Sequence, residues 1–157
     1  VSRSSLIFCG WLLLVAIAAS SGILAPPGEW YAALVKPPLT PPDWLFPTAW
    51  TLLYLMMAVA AWKVTLSVPH GERRATLTPF VLQLVANGLW SWLFFGAHWM
   101  LIGLLDLLLM WGLIVWAIVT FWRHSRFAAG LLVPYLVWVS FATYLNAALL
   151  VLNAQWN

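Results

Sequence analysis

Charge is what this chain has least of. Of its 157 residues only 7% are Asp, Glu, Lys or Arg, whereas 64% are hydrophobic. So short a chain cannot hide that much apolar surface in one core, which excludes a water-soluble fold. Cysteine is nearly absent. Cys9 stands alone inside the first apolar run, which rules out an intramolecular disulfide and a thiolate metal cluster and leaves it the role of a small packing residue. The three histidines, His70, His98 and His124, all fall in connections, so no histidine is placed to ligate a haem at membrane depth and a cytochrome is not expected. Neither a HExxH helix, a phosphate-binding loop nor a nucleophile elbow occurs. No metal site, hydrolytic centre or obligatory cofactor is therefore expected. The cations form no patch and do not alternate with aromatics, so nucleic acid is not an expected partner.

What fills the chain is five apolar stretches, residues 6–24, 48–66, 77–95, 100–122 and 127–152, each about long enough to cross a hydrocarbon core of roughly 30 Å as a helix. In lipid every backbone polar group needs an internal partner, which permits helices or a closed barrel. The runs lack the period-two alternation of a barrel strand, and the fold class is an all-α membrane protein, one five-transmembrane-helix bundle over residues 1–157. Only one connection is long, residues 26–47. It contains WYAALVKPPLTPPDW, Trp30 to Trp44, and has too many prolines for another span. Arg3, Lys63, Arg73, Arg74, Arg123 and Arg126 fall on one side of such a bundle and Lys36 alone on the other. The excess of positive charge places the N-terminus in the cytoplasm, with the long loop and the C-terminus opposite.

Proline supplies most of the punctuation. Pro26-Pro27 stops the first helix, Pro47 suits the first turn of the second, and Thr78-Pro79 is expected to open the third. Pro134 lies within the last span and should bend or loosen it unless neighbours satisfy the freed carbonyl. Ala18 and Gly22, and more weakly Ala58 and Ala61, offer small-residue faces for close helix approach, within one chain or in a homodimer. Arg3, the following apolar run and Ala16-Ile17-Ala18 also fit a cleavable leader, although the run is longer than one needs. Thirteen tryptophans put indoles at every depth, and Trp44, Trp99, Trp122 and Trp156, near span ends, are expected interface anchors.

Three spans carry stripes at alternating steps of three and four, each on one helix face. The third has Phe80, Gln83, Asn87, Trp90 and Phe94; the last has Leu131, Tyr135, Trp138, Ala142, Leu145 and Leu149; the second has Trp50, Tyr54, Met57 and Ala61. Carboxamides in a membrane helix are expensive to leave unpaired, so the Gln83 and Asn87 face should look inward at partners or a ligand. Ala142, one turn from Trp138, leaves a notch beside a flat ring. Asp106 is the one acid well inside a span, where an ionised carboxylate costs on the order of 3 kcal/mol. It calls for a hydrogen-bond partner or access to water, and a ligand or proton role is the alternative.

These residues resemble the translocator protein family, the tryptophan-rich sensory proteins (TspO) of bacteria and their mitochondrial relatives, formerly called peripheral benzodiazepine receptors. The matching blocks are WYAALVKPPLTPPDW, Trp50 with LLYLMM after it, QLVANGLWSWLFFGA from Gln83, DLLL from Asp106, and PYLVWVSFATYLN from Pro134 to Asn146. The resemblance implies a receptor or transport-type protein of a bacterial membrane. Its pocket under the first loop would take flat hydrophobic ligands, protoporphyrin IX and related tetrapyrroles above all. The pocket lining carries over to Trp50, Tyr54, Asn87, Trp90, Trp138, Ala142 and Leu145, joined by Gln83 from the stripe, with Trp30, Pro41 and Pro42 in the covering loop. Lys36 is the nearest candidate to balance a propionate. Porphyrin is thus expected as a ligand, not as a cofactor, and a homodimer is an implied partner. Light-dependent porphyrin degradation, with Trp50 and Trp138 as candidate catalytic residues, is the alternative function. Sterol binding ranks lower, because no Lys or Arg follows Tyr144 to complete the proposed motif. A scaffold for membrane partners would need no inward amides.

Overall fold

A computed structural model describes residues 2–154. Six helices follow one another: α1 (Arg3–Leu24), α2 (Glu29–Ala33), α3 (Leu45–Ser67), α4 (Arg73–Ser91), α5 (Met100–Trp122) and α6 (Arg126–Leu152). All but the five-residue α2 are long and apolar enough to cross a membrane. Among the described residues there is no strand. The ends are set locally. Ser2 and Ser125 cap α1 and α6, their hydroxyls accepting from the amides of Ser5 and Ala128 at 3.1 and 3.2 Å, which satisfies donors that a helix start leaves free.

The spans close into a ring, in the order α1, α3, α6, α5, α4 and back to α1. Small residues allow the close approach. Ala58, Ala60 and Ala61 on α3 are fully buried, as are Ala117 on α5 and Ala128 and Ala129 on α6. A Cβ on Gly88 would lie 3.6 Å from the Ala18 backbone, so α1 and α4 nearly touch there. Without a hydrophobic drive between helices in lipid, such packing and buried hydrogen bonds hold the ring. The outer face is correspondingly apolar, with Leu13, Ile17, Leu105, Leu109 and Val137 all exposed.

Several expectations are corrected. The third span does not open at Thr78-Pro79: α4 starts at Arg73, and Pro79 is buried within it. Proline within a span is tolerated where neighbours serve the freed carbonyls. The carbonyl that Pro79 frees is that of Ala75; hydroxyls serve the carbonyls on either side of it, Thr78 donating to that of Arg74 at 2.7 Å and Thr120 of α5 to that of Thr76 at 3.2 Å. The same helix ends in a π-helical turn, Trp92–Gly96. Residues 26–47 are not wholly irregular, since α2 begins at Glu29, whose carboxylate in the first turn suits a helix N-terminus. Cys9 is not a packing residue but faces outward. Of the two small residues on α1, Ala18 meets Gly88 within the chain, while Gly22 has open space around it. Continuous helix runs through Pro134, from Arg126 to Leu152. Trp44, Trp99 and Trp122 are exposed near span ends; Trp156 lies outside the described residues.

Candidate ligand-binding site

Because α3, α4 and α6 converge in the ring, their stripes turn toward one another. Gln83, Asn87 and Tyr135 are buried at 1%, 4% and 0% exposure, and they form one chain of hydrogen bonds. The Tyr54 hydroxyl donates to Asn87 Oδ1 at 2.7 Å, Asn87 Nδ2 donates to the Tyr135 oxygen at 3.0 Å, and that hydroxyl donates to Gln83 Oε1 at 2.7 Å. The Gln83 amide faces Met57 Sδ at 3.9 Å, and Met110 Sδ of α5 lies 3.2 Å from the Tyr135 oxygen. Each carboxamide thus spends its polar atoms on partners, as burial in a low dielectric requires.

An aromatic group adjoins this chain. Trp50 stacks on Tyr54 with ring centroids 5.3 Å apart, meets Trp138 edge to face at 6.3 Å, and reaches Tyr135 at 6.2 Å. Phe46 packs on the far side of Trp138 at 6.0 Å. The indole Nε1 of Trp138 is buried and has no acceptor among the described residues. Trp138 also lines an apolar groove of about 390 Å³ with Leu52, Leu53, Pro134, Val137 and Phe141.

Trp90 and Ala142 pack against the same core as this group, and the remaining sequence candidates lie along the bundle and the loop. Trp90 donates through Nε1 to Asn146 Oδ1 at 3.3 Å and stacks on Phe94 at 5.1 Å. Asn146 in turn donates to the Met100 carbonyl at 2.9 Å. Leu145 is buried and Ala142 half-buried on α6. Trp30 is drawn to the π-helical turn, stacked on His98 at 4.2 Å and edge-on to Phe94 at 5.6 Å. Pro41 is half-buried and Pro42 exposed.

The covering loop is strapped down. Asn153, fully buried beyond α6, accepts from the Val35 amide at 2.8 Å and donates to the Val35 carbonyl at 3.0 Å. The Tyr144 hydroxyl donates to the Pro38 carbonyl at 3.1 Å. Lys36 is engaged locally, its ammonium donating to the Tyr31 and Leu34 carbonyls and lying 4.2 Å from the Tyr31 ring centre. Burial holds this lysine below its ordinary range against the opposing pull of Asp43. Beside it, burial and then Asp43 push the Tyr31 phenol up. Asp106 is half-buried with its Oδ2 unpartnered among the described residues, so no structural hydrogen bond to that oxygen is found.

Sequence reasoning did not name Asn146, Asn153, Phe46, Met110 or His98 as site residues. The carboxamides had a usable signal, since Asn146 and Asn153 stand seven residues apart, on one face if the helix continues. His98 had none, because its place depends on a turn of positive φ, 60°.

Comparison with known proteins agrees with the fold. The model of the TspO/MBR family matches residues 8–152. The chain is 45% identical to the tryptophan-rich protein TspO of Chlorobaculum tepidum, over 92% of each chain. It is 35% identical to protein CrtK of Rhodobacter capsulatus, over 94% of this chain and 92% of that one. Identity to the human translocator protein is 36%, over 82% of this chain and 78% of the relative. With a five-span bundle, inward amide and indole stripes and a match over nearly its whole length, this integral membrane protein belongs to the TspO/MBR family.

Proposed function

We propose that the protein is a receptor or transport-type binder of tetrapyrroles such as protoporphyrin IX, held among α3, α4 and α6 beneath the strapped loop. The observation that carries this reading is the meeting of Trp50, Tyr54 and Trp138 beside the Asn87–Tyr135 hydrogen bond, with the Trp138 N–H buried and lacking an acceptor among the described residues. Indole and phenol faces suit a wide π-system, and a ring nitrogen or carboxylate edge would relieve the unpartnered donor.

Entry requires movement. Trp50 and Trp138 are in edge-to-face contact, so a macrocycle lying between them needs the Trp138 ring to turn, and the apolar groove beside it gives the ring room. The loop serves as the lid, and its prolines lower the entropy lost on closing. Lys36 reaches a propionate only by leaving the Tyr31 and Leu34 carbonyls.

Titrating purified protein with protoporphyrin IX and following tryptophan fluorescence tests this reading. Trp138→Ala should weaken binding by about 1 to 3 kcal/mol, roughly fivefold to a hundredfold. An affinity within a factor of about two of wild type removes the stacking role. A parallel sterol titration should show the weaker response.

A second reading, light-dependent breakdown of the bound pigment, draws on one observation: the oxidisable rings of Trp138 and Tyr135 lie 6.3 and 6.2 Å from that of Trp50. Both readings require binding, but only breakdown yields a new product. Illumination of the loaded protein in air, with Trp50→Phe and Trp138→Phe alongside, separates them. Equal bleaching in all three proteins leaves binding as the whole function.

A further inference from the structure

At the opposite end of the bundle from the loop, the head of α4 differs from the rest of the outer surface. A groove of about 520 Å³ begins among His70, Arg73 and Arg74 and continues along Leu77, Val81 and Leu82. Val81 and Leu82 are exposed on the outer, lipid-facing side of α4. Two of the charges are held by hydrogen bonds. Arg73 donates through Nη2 to the Thr65 carbonyl at 3.1 Å, and Arg3 brings a third guanidinium to His70, Nη2 to Nε2 at 3.4 Å. Among the described residues no carboxylate lies within ion-pair distance of these three arginines; Glu72, the acid of the same turn, instead lies 3.5 Å from His124.

Cations alone would suit any anion, and an apolar track alone any acyl chain. Here the two are joined end to end along one helix, with the charges where the span leaves the hydrocarbon. We propose that this groove is a binding site for an anionic phospholipid, its phosphate against Arg73 and Arg74 and one acyl chain along Leu77, Val81 and Leu82. The chemistry is that of basic pockets that select anionic headgroups at a membrane surface, with guanidinium forks matched to phosphate oxygens. The site is independent of the tetrapyrrole reading.

Native mass spectrometry of the delipidated full-length protein in detergent, titrated with dioleoylphosphatidylglycerol or dioleoylphosphatidylcholine, tests it. Wild type should prefer phosphatidylglycerol by about tenfold or more, since each arginine near a headgroup is worth about fivefold. The double variant Arg73→Gln/Arg74→Gln should erase the preference. Arg123→Gln/Arg126→Gln, which removes two cations from the same side outside the groove, should keep it within a factor of about two. Leu82→Trp retains every charge and should still weaken phosphatidylglycerol binding by filling the track. Should the double variant fail to fold, Arg74→Gln alone decides, because the Arg74 side chain makes no internal hydrogen bond among the described residues. Three results would each overturn the proposal: equal affinity for the two lipids, an equal loss in the Arg123/Arg126 variant, or displacement of the lipid by millimolar inorganic phosphate.

Discussion

Tyr135 is where the polar side chains of α3, α4 and α6 meet, and its hydroxyl both accepts from Asn87 and donates to Gln83. Tyr135→Phe would strand an amide hydrogen and a carbonyl oxygen in a fully buried place, at a cost of about 1 to 3 kcal/mol. Thermal unfolding in detergent should show that loss. Tyr54→Phe should cost less, because Tyr54 is only half-buried and leaves one acceptor short. At this scale the sequence was partly legible. Gln83 and Asn87 had to face inward because hydrocarbon offers amides no partners, but which atom bonds to which was set by helices far apart in the chain. Cys9 shows the converse. Its burial was expected from residue type, yet it sits on the lipid face, where an apolar thiol costs as little as in a core.

Helices show the same division between local and distant causes. Starts and stops were readable where a proline acts on its own backbone, as at Pro26-Pro27, which follow the end of α1 at Leu24. Pro79 misled because a proline can stand inside a span that already packs against its neighbours, and Pro79 is buried within α4. Close approach of α5 to α6 can be tested directly. A Cβ on Gly103 would meet Asn146 Oδ1 at 3.2 Å and Phe94 at 3.3 Å, so Gly103→Ala should destabilise by about 1 to 3 kcal/mol and disturb the Trp90–Asn146 bond. By contrast, Gly112→Ala has open space and should be neutral or slightly stabilising. The loop is held by Asn153 through two hydrogen bonds to Val35. Asn153→Ala should speed amide exchange of residues 34–42 by about tenfold while the spans stay protected. Unchanged exchange there would mean that packing, not the strap, holds the loop.

For the whole molecule, the ring order α1, α3, α6, α5, α4 brings three aromatic stripes together and leaves an apolar exterior. Arg3, Lys63, Arg73, Arg74, Arg123 and Arg126 lie at the end opposite the loop, and the positive-inside rule predicts that this end faces the cytoplasm. In a Cys9→Ser background, Gly71→Cys should be shielded from a membrane-impermeant maleimide in intact cells, and Gly28→Cys should be labelled. Both glycines have open space for a side chain. Reversed labelling would invert the topology. Composition and periodicity by themselves determined the class, the number of spans and the inward faces, because lipid forces helices and penalises every unpaired amide. The tertiary structure alone decided that Trp138 meets Trp50 edge to face, that Trp30 stacks on His98, and that Asn153 straps Val35. Those contacts depend on how distant segments pack in three dimensions, and a pattern along one helix carries no information about its neighbours.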